Sequence, residues 1–121
     1  MEFLFVALGG ALGSMGRYAI SLVPVKHGFP IPTLVINLLG AVLIGFVAGL
    51  AAERKEISPH AVVFWKTGVC GGFTTFSTFS LEAFTLLEHR QFAAGVAYIV
   101  LSVALCLAGI LCGKRMAMLM A

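Results

Sequence analysis

The sequence predicts an all-α membrane protein of four transmembrane helices, and three observations carry that prediction. Of its 121 residues, 60% are hydrophobic and 11% are charged, a balance that a single soluble core of this size cannot hide. Charge and proline gather where four apolar runs meet, and each run reaches the roughly 20 residues that a bilayer core demands. The third run also contains "GGFTTFSTFS" at 71–80, which sets two glycines, five hydroxyl residues and three phenylalanines within ten positions. The spans fall at roughly residues 3–23, 32–52, 60–88 and 92–113 and make a single transmembrane domain over 1–121.

The first run begins "MEFLFVALGG", which lacks a basic leader and continues past signal-peptide length, so it is a span. Arg17 lies late in it, and either snorkels as an interfacial anchor toward the loop of Pro24 and Lys26 or lines a vestibule. The second span carries Asn37, the only asparagine of the chain, one turn from Thr33. It either bonds a neighbouring helix or meets a ligand. In the third, Gly68, Gly71 and Gly72 each lower helix stability by about 1 kcal/mol relative to alanine, and the hydroxyls that follow compete for backbone groups. A break near residues 71–75 follows. Freed backbone groups inside a bilayer persist only when buried in protein, bound to an ion or lining water, so the break marks an ion site. Beyond it, helical spacing puts Phe76 and Phe79 on one face and Thr75, Thr78 and Glu82 on an adjacent polar stripe. Small residues four apart recur in every span: Gly9 and Gly13, Ala41 with Gly45 and Gly49, Gly68 and Gly72, Gly109 and Gly113. Most of them pack this chain's own helices.

The net charge is +3, but the basic residues are scattered, which excludes nucleic-acid binding. Arg54, Lys55, Lys66, Lys114 and Arg115 fall on one side of the membrane and Arg17, Lys26 and Arg90 on the other. So feeble a positive-inside bias lets a chain insert both ways round and opens the way to an antiparallel dimer. Cys70, Cys106 and Cys112 lie inside spans at spacings of neither a disulfide framework nor a metal knuckle, and read as small buried hydrophobes. His27, His60 and His89 lie in connecting segments and form no cluster. No histidine, cysteine or carboxylate pair stands where it can act as nucleophile and base, so the chain is not an enzyme. Phenylalanine edges, hydroxyls and an amide NH₂ solvate a small anion without a fixed cation, whereas a cation calls for carboxylates or carbonyls. An anion pore therefore stands ahead of a cation pore. Two other readings are a proton-coupled small exporter, which needs a carboxylate in mid-span where the first span offers only Glu2 at its start, and a non-transporting assembly subunit.

The stretch "GVCGGFTTFSTFSLE" at 68–82 resembles the signature of the Fluc (CrcB) fluoride channel family, and "GGALGSMGRY" at 9–18, "PTLVINLLGA" at 32–41 and Tyr98 with Ser102 agree in order. The resemblance implies a fluoride-selective passive channel that exports cytoplasmic fluoride and protects against its toxicity. It also implies a multi-pass protein of a bacterial-type inner membrane, and an antiparallel, dual-topology homodimer. By the same resemblance, Phe76 and Phe79 form an aromatic box for dehydrated fluoride, and Asn37 donates amide hydrogens nearby. Thr75, Thr78, Ser80, Tyr98 and Ser102 belong to a polar track with Glu82 alongside, and Arg17 lines a positive vestibule. The backbone carbonyls of Gly71 and Thr74, one pair from each subunit, would hold a sodium ion at the dimer centre.

Overall fold

The computed structural model describes residues 1–25 and 28–121, and every regular element among them is helical. Lys26 and His27 lie outside the described residues, and with them the loop contact expected for Arg17. Helix α1 runs Glu2–Ser21 and α2 runs Ile31–Glu53. Then come α3, Pro59–Val62, a wider π-helical stretch, Val63–Cys70, and α4, Gly71–Phe73; helical dihedrals at each junction make these one continuous rod. Helix α5, Phe76–Glu88, and α6, Phe92–Met120, complete the chain. Helices α1, α2 and α6 are each long and apolar enough to cross a membrane. At about 1.5 Å per residue, neither the rod nor α5 reaches the roughly 30 Å of a hydrocarbon core by itself.

Local chemistry sets the ends. Pro59 sits where a helix needs no N–H, and Ser58 Oγ accepts from the His60 N–H at 3.2 Å, a cap in the usual sense. Thr75 serves α5 likewise, its Oγ1 accepting from the Thr78 N–H at 3.2 Å. Between α5 and α6, Gln91 N–H reaches back to Leu86 O at 2.9 Å while Arg90 takes a left-handed conformation (φ 59°). This tight reversal lays α6 back along α5. Helix α6 runs seven residues past the expected end at 113. Lys114 and Arg115 mark the edge of the apolar run, but they and the methionines after them are good helix formers, and nothing there breaks the ladder. Arg54 Nη2 donates to Met120 O at 2.8 Å and closes that end.

Two backbone-tight seams hold the helices. Helix α1 runs parallel to the rod, so close that a methyl on Gly9 would stand 2.5 Å from Phe64 O, and one on Gly72 2.5 Å from Gly10 O. Helix α2 runs parallel to α6, where a methyl on Gly113 would fall on the Val42 carbonyl and 2.7 Å from Phe46 N. The small-residue pairs thus pack the chain's own helices, as their spacing predicts. Lipid gives no hydrophobic drive between helices, so close backbone approach and dispersion contacts do the holding. Core residues such as Ile36, Cys70 and Tyr98 are few, while Phe3 (90% exposed) and Leu119 (87%) point outward, a pattern that an apolar solvent tolerates.

The seams predict a contrast between two alanine substitutions. Gly13→Ala would drive a methyl into the Val69 carbonyl and to 2.8 Å from Phe73 N, costing about 1–3 kcal/mol. Gly16→Ala meets nothing nearer than the Phe73 ring at 3.6 Å, and gains up to about 1 kcal/mol of helix propensity. Thermal unfolding in detergent should show a lowered midpoint for the first and an unchanged or raised one for the second.

Candidate functional site

The break falls at Thr74 and Thr75, whose backbones are extended (φ −80°, ψ 158° and φ −149°, ψ 123°), within the predicted interval. Its hydrogen bonds leave the helical pattern at Thr75, while the Thr74 N–H still donates to Cys70 O at 3.0 Å. The Thr75 N–H, which would close the next turn onto Gly71 O, donates to Asn37 Oδ1 at 2.8 Å. Asn37 Nδ2 in turn donates to Thr75 O at 3.0 Å. One side-chain amide thus pairs both faces of the exposed peptide groups, as a neighbouring strand would. The Thr78 N–H, which would otherwise bond Thr74 O, caps onto Thr75 Oγ1. These two diversions release the carbonyls of Gly71 and Thr74 from the helix.

The end of the rod that meets the break is stabilised by charge. Arg17 Nε donates to Gly72 O at 3.1 Å, and Ser14 Oγ lies 3.5 Å from the same oxygen. A guanidinium at a helix C-terminus faces the negative end of the helix dipole. Thr74 Oγ1 bonds Cys70 O at 2.8 Å, and its methyl packs into the space that Gly40 leaves on α2. A side chain at residue 40 would push Thr74 out and open the clamp.

Beside the break lies a cavity of about 310 Å³ whose wall includes Asn37, Thr75, Phe76, Phe79, Ser102 and Cys106. With Thr74, which also lines it, six of the residues singled out from the sequence, spread over α2, α5, α6 and the break, therefore meet at one place. Phe76 and Phe79 stand 5.7 Å apart, centroid to centroid, tilted by 47°. Phe79 continues to Tyr98 at 5.1 Å, and Tyr98 to the edge of Phe29 at 5.5 Å. Tyr98 is fully buried and donates its hydroxyl to Glu82 Oε1 at 3.2 Å. The aromatic ladder thus leads from the cavity to the Tyr98–Glu82 pair. Ser102 Oγ is buried without a hydrogen-bond partner among the described residues. Thr78 and Ser80 are half-buried on α5 and do not line this cavity.

Sequence reasoning missed Gly40, the π-helical stretch and Cys106. Gly40 follows Asn37 by one turn and Cys106 follows Ser102 by one turn, so helical spacing from the residues already chosen points to both. Nothing in the residue pattern of 63–70 announces the wider winding, although such stretches gather near functional sites.

An all-helical membrane protein with a broken helix, a half-buried amide clamp and an aromatic-walled, largely apolar cavity belongs to the class of polytopic transport proteins. More narrowly, residues 4–114 match the family model described as CrcB-like protein, Camphor Resistance (CrcB), and the chain belongs to that family. It is 46% identical over 115 residues to "Fluoride-specific ion channel FluC" of Rhizobium meliloti (strain 1021), covering 93% of this chain and 92% of that one. Proteins of the same name from Elusimicrobium minutum (42% identical; 93% and 90% covered) and Methanococcus maripaludis (42%; 97% and 96%) are similarly close.

The clamp makes a direct prediction. Asn37→Leu keeps the branched shape but leaves the Thr75 N–H and C=O without partners, at roughly 1–3 kcal/mol for each. The unfolding midpoint in detergent should fall well below that of the parent, and by more than for Thr78→Val, which leaves the Thr78 N–H in place.

Proposed function

We propose that this chain is a fluoride-selective passive channel that lets cytoplasmic fluoride leave the cell, and that the cavity at the helix break lies on its path. The observation that carries the reading is the wall itself: two phenylalanines together with Asn37, Thr75 and Ser102 line one space. Phenylalanine has a positive ring edge, and hydroxyl and amide hydrogens replace water around a small, strongly hydrated anion. Larger halides offer less charge density to the same donors. Such a site holds fluoride without a fixed cation, loosely enough for it to move on. Hydrogen fluoride crosses membranes as a neutral acid and dissociates in a less acidic cytoplasm, so the trapped anion has a gradient to follow outward. The protein is a multi-pass membrane channel and not an enzyme.

The rest of the path extends this reading. Residues 59–88 act as one interrupted span, giving four spans and a single domain over 1–121. Tyr98, Glu82, Thr78 and Ser80 continue the polar track beyond the cavity, and the guanidinium N–H groups that Arg17 does not spend on Gly72 make an anion-attracting vestibule. The weak charge bias favours insertion in both orientations, in a bacterial-type inner membrane, with an antiparallel homodimer as the working unit. Phe76 is 80% exposed on the single chain, and a second copy would complete its surroundings.

Gly71 and Thr74 suit a structural sodium ion at the centre of such a dimer. Both carbonyls are released from helical bonding, hard oxygen donors match a hard cation, and Gly71 is exposed with nothing within 4 Å of a methyl placed there. Sodium would supply charge balance for carbonyls gathered in a dry place. The proton-coupled exporter has no carboxylate beyond Glu2 in α1 to serve it.

Fluoride efflux from liposomes, read with an electrode, tests the channel. The expected result is rapid fluoride release with negligible chloride release, strongly slowed by Phe76→Ile. No release from protein shown to be folded and dimeric would overturn the reading. For the sodium site, exchanging sodium for a large organic cation should shift the detergent-solubilised dimer toward monomer, measured by light scattering. A dimer indifferent to the exchange would count against it.

A further inference from the structure

Gly40 is buried on α2 one turn beyond Asn37, so the two share a helical face. That face holds both residues of the break. Asn37 pairs with Thr75, and Gly40 abuts Thr74 so closely that a methyl placed on it would fall on Thr74 Cγ2. Thr74 has two further fastenings, since its N–H and its Oγ1 both donate to Cys70 O, at 3.0 and 2.8 Å. The Thr74 carbonyl belongs to the same planar peptide as the Thr75 N–H. Two residues of α2 therefore fix it: Asn37 by accepting that N–H, and Gly40 by seating the side chain just before it. We propose that Gly40 is a positioning residue, whose notch locks the Thr74 methyl and so fixes the direction of the Thr74 carbonyl for a bound cation. The proposal rests on the reading of Gly71 and Thr74 as a sodium site.

A β-branched side chain has few staggered positions, and with Oγ1 on Cys70 O the Thr74 methyl goes to Gly40. Gly40→Ala forces a choice. Either α2 draws back and takes Asn37 away from Thr75, or Thr74 turns about its Cα–Cβ bond and gives up the bond to Cys70 O. Each course loosens one of the two holds on the carbonyl, and a ligand set keeps its geometry only where packing locks the residues that carry it. The seam glycines differ in kind: Gly13, Gly45 and Gly113 meet the backbone of a neighbouring helix, so no side-chain change relieves them. Gly40 meets a side-chain methyl, which Thr74→Ser removes while keeping a hydroxyl for Cys70 O. In that background the methyl of Gly40→Ala meets its other neighbours, Phe73 Cδ2 and the Cβ of residue 74, at 3.5 Å, an ordinary contact. Gly40→Ala is therefore damaging only while the threonine methyl is present.

The test is thermal unfolding of the whole protein in detergent, in sodium chloride and in N-methylglucamine chloride at equal ionic strength. An ion that binds only the folded protein raises its midpoint, whereas a packing defect lowers the midpoint alike in both media. The rise given by sodium therefore reports the site apart from the packing. The expected result is a clear rise in the parent chain, none in Gly40→Ala, and a smaller rise in Thr74→Ser that stays the same when Gly40→Ala is added. A rise in Gly40→Ala equal to that of the parent would overturn the proposal, as would a rise in Thr74→Ser that disappears on adding Gly40→Ala. If Gly40→Ala does not fold, Thr74→Ser decides: a smaller rise than the parent's supports the lock, and an undiminished one sinks it. Equal midpoints in the two media for the parent chain would instead defeat the sodium reading itself, and this proposal with it.

Discussion

The pairing of the Asn37 amide with the N–H and C=O of Thr75, at 2.8 and 3.0 Å, is the interaction on which the broken helix rests. A helix interrupted in an apolar medium exposes donors and acceptors that water cannot reach, each costing several kcal/mol if left alone. Asn37 supplies one donor and one acceptor in the spacing of a peptide group, so a single side chain meets both needs. Because Asn37 holds the Thr75 N–H, that amide is withdrawn from Gly71, and the carbonyl there is left to other partners. The same bond that makes the break tolerable therefore frees the Gly71 carbonyl from the helix.

That clamp works because the elements it joins are held elsewhere. Helix α1 and the rod form one glycine-tight pair, and α2 and α6 form another. Polar contacts tie the pairs together: Asn37 to Thr75 between α2 and the break, and Tyr98 to Glu82 between α6 and α5. Arg17 fastens the end of the rod to α1 through Gly72 O. Apolar packing thus sets positions within each pair, while buried polar bonds, which lose strength fast with distance and angle, set the register between pairs. The cavity opens beside the break, with Asn37 and Thr75 in its wall.

Much of this was legible in the sequence because the lipid environment simplifies the rules. Apolar length gives the three long helices α1, α2 and α6, and three glycines followed by hydroxyls give the break to within its observed position. Asn37 was legible as important, since a lone amide in an apolar helix needs a partner, but not which partner it takes. A helical period places residues on one element and says nothing about a neighbour 38 positions away. For the same reason Tyr98 and Ser102 entered through family resemblance, and Gly40 and Cys106 were missed: their roles lie in what another helix brings opposite them. The overlong α6 was missed because charge marks a membrane boundary, not a helix end.

Hydrogen exchange at the Thr75 backbone amide, in protein reconstituted into nanodiscs, tests the dependence of the break on Asn37 most directly. Slow exchange in the parent chain and fast exchange at Thr75 in Asn37→Ala, with α2 and α6 still protected, is the predicted result. Equal exchange at Thr75 with and without the asparagine side chain would contradict it.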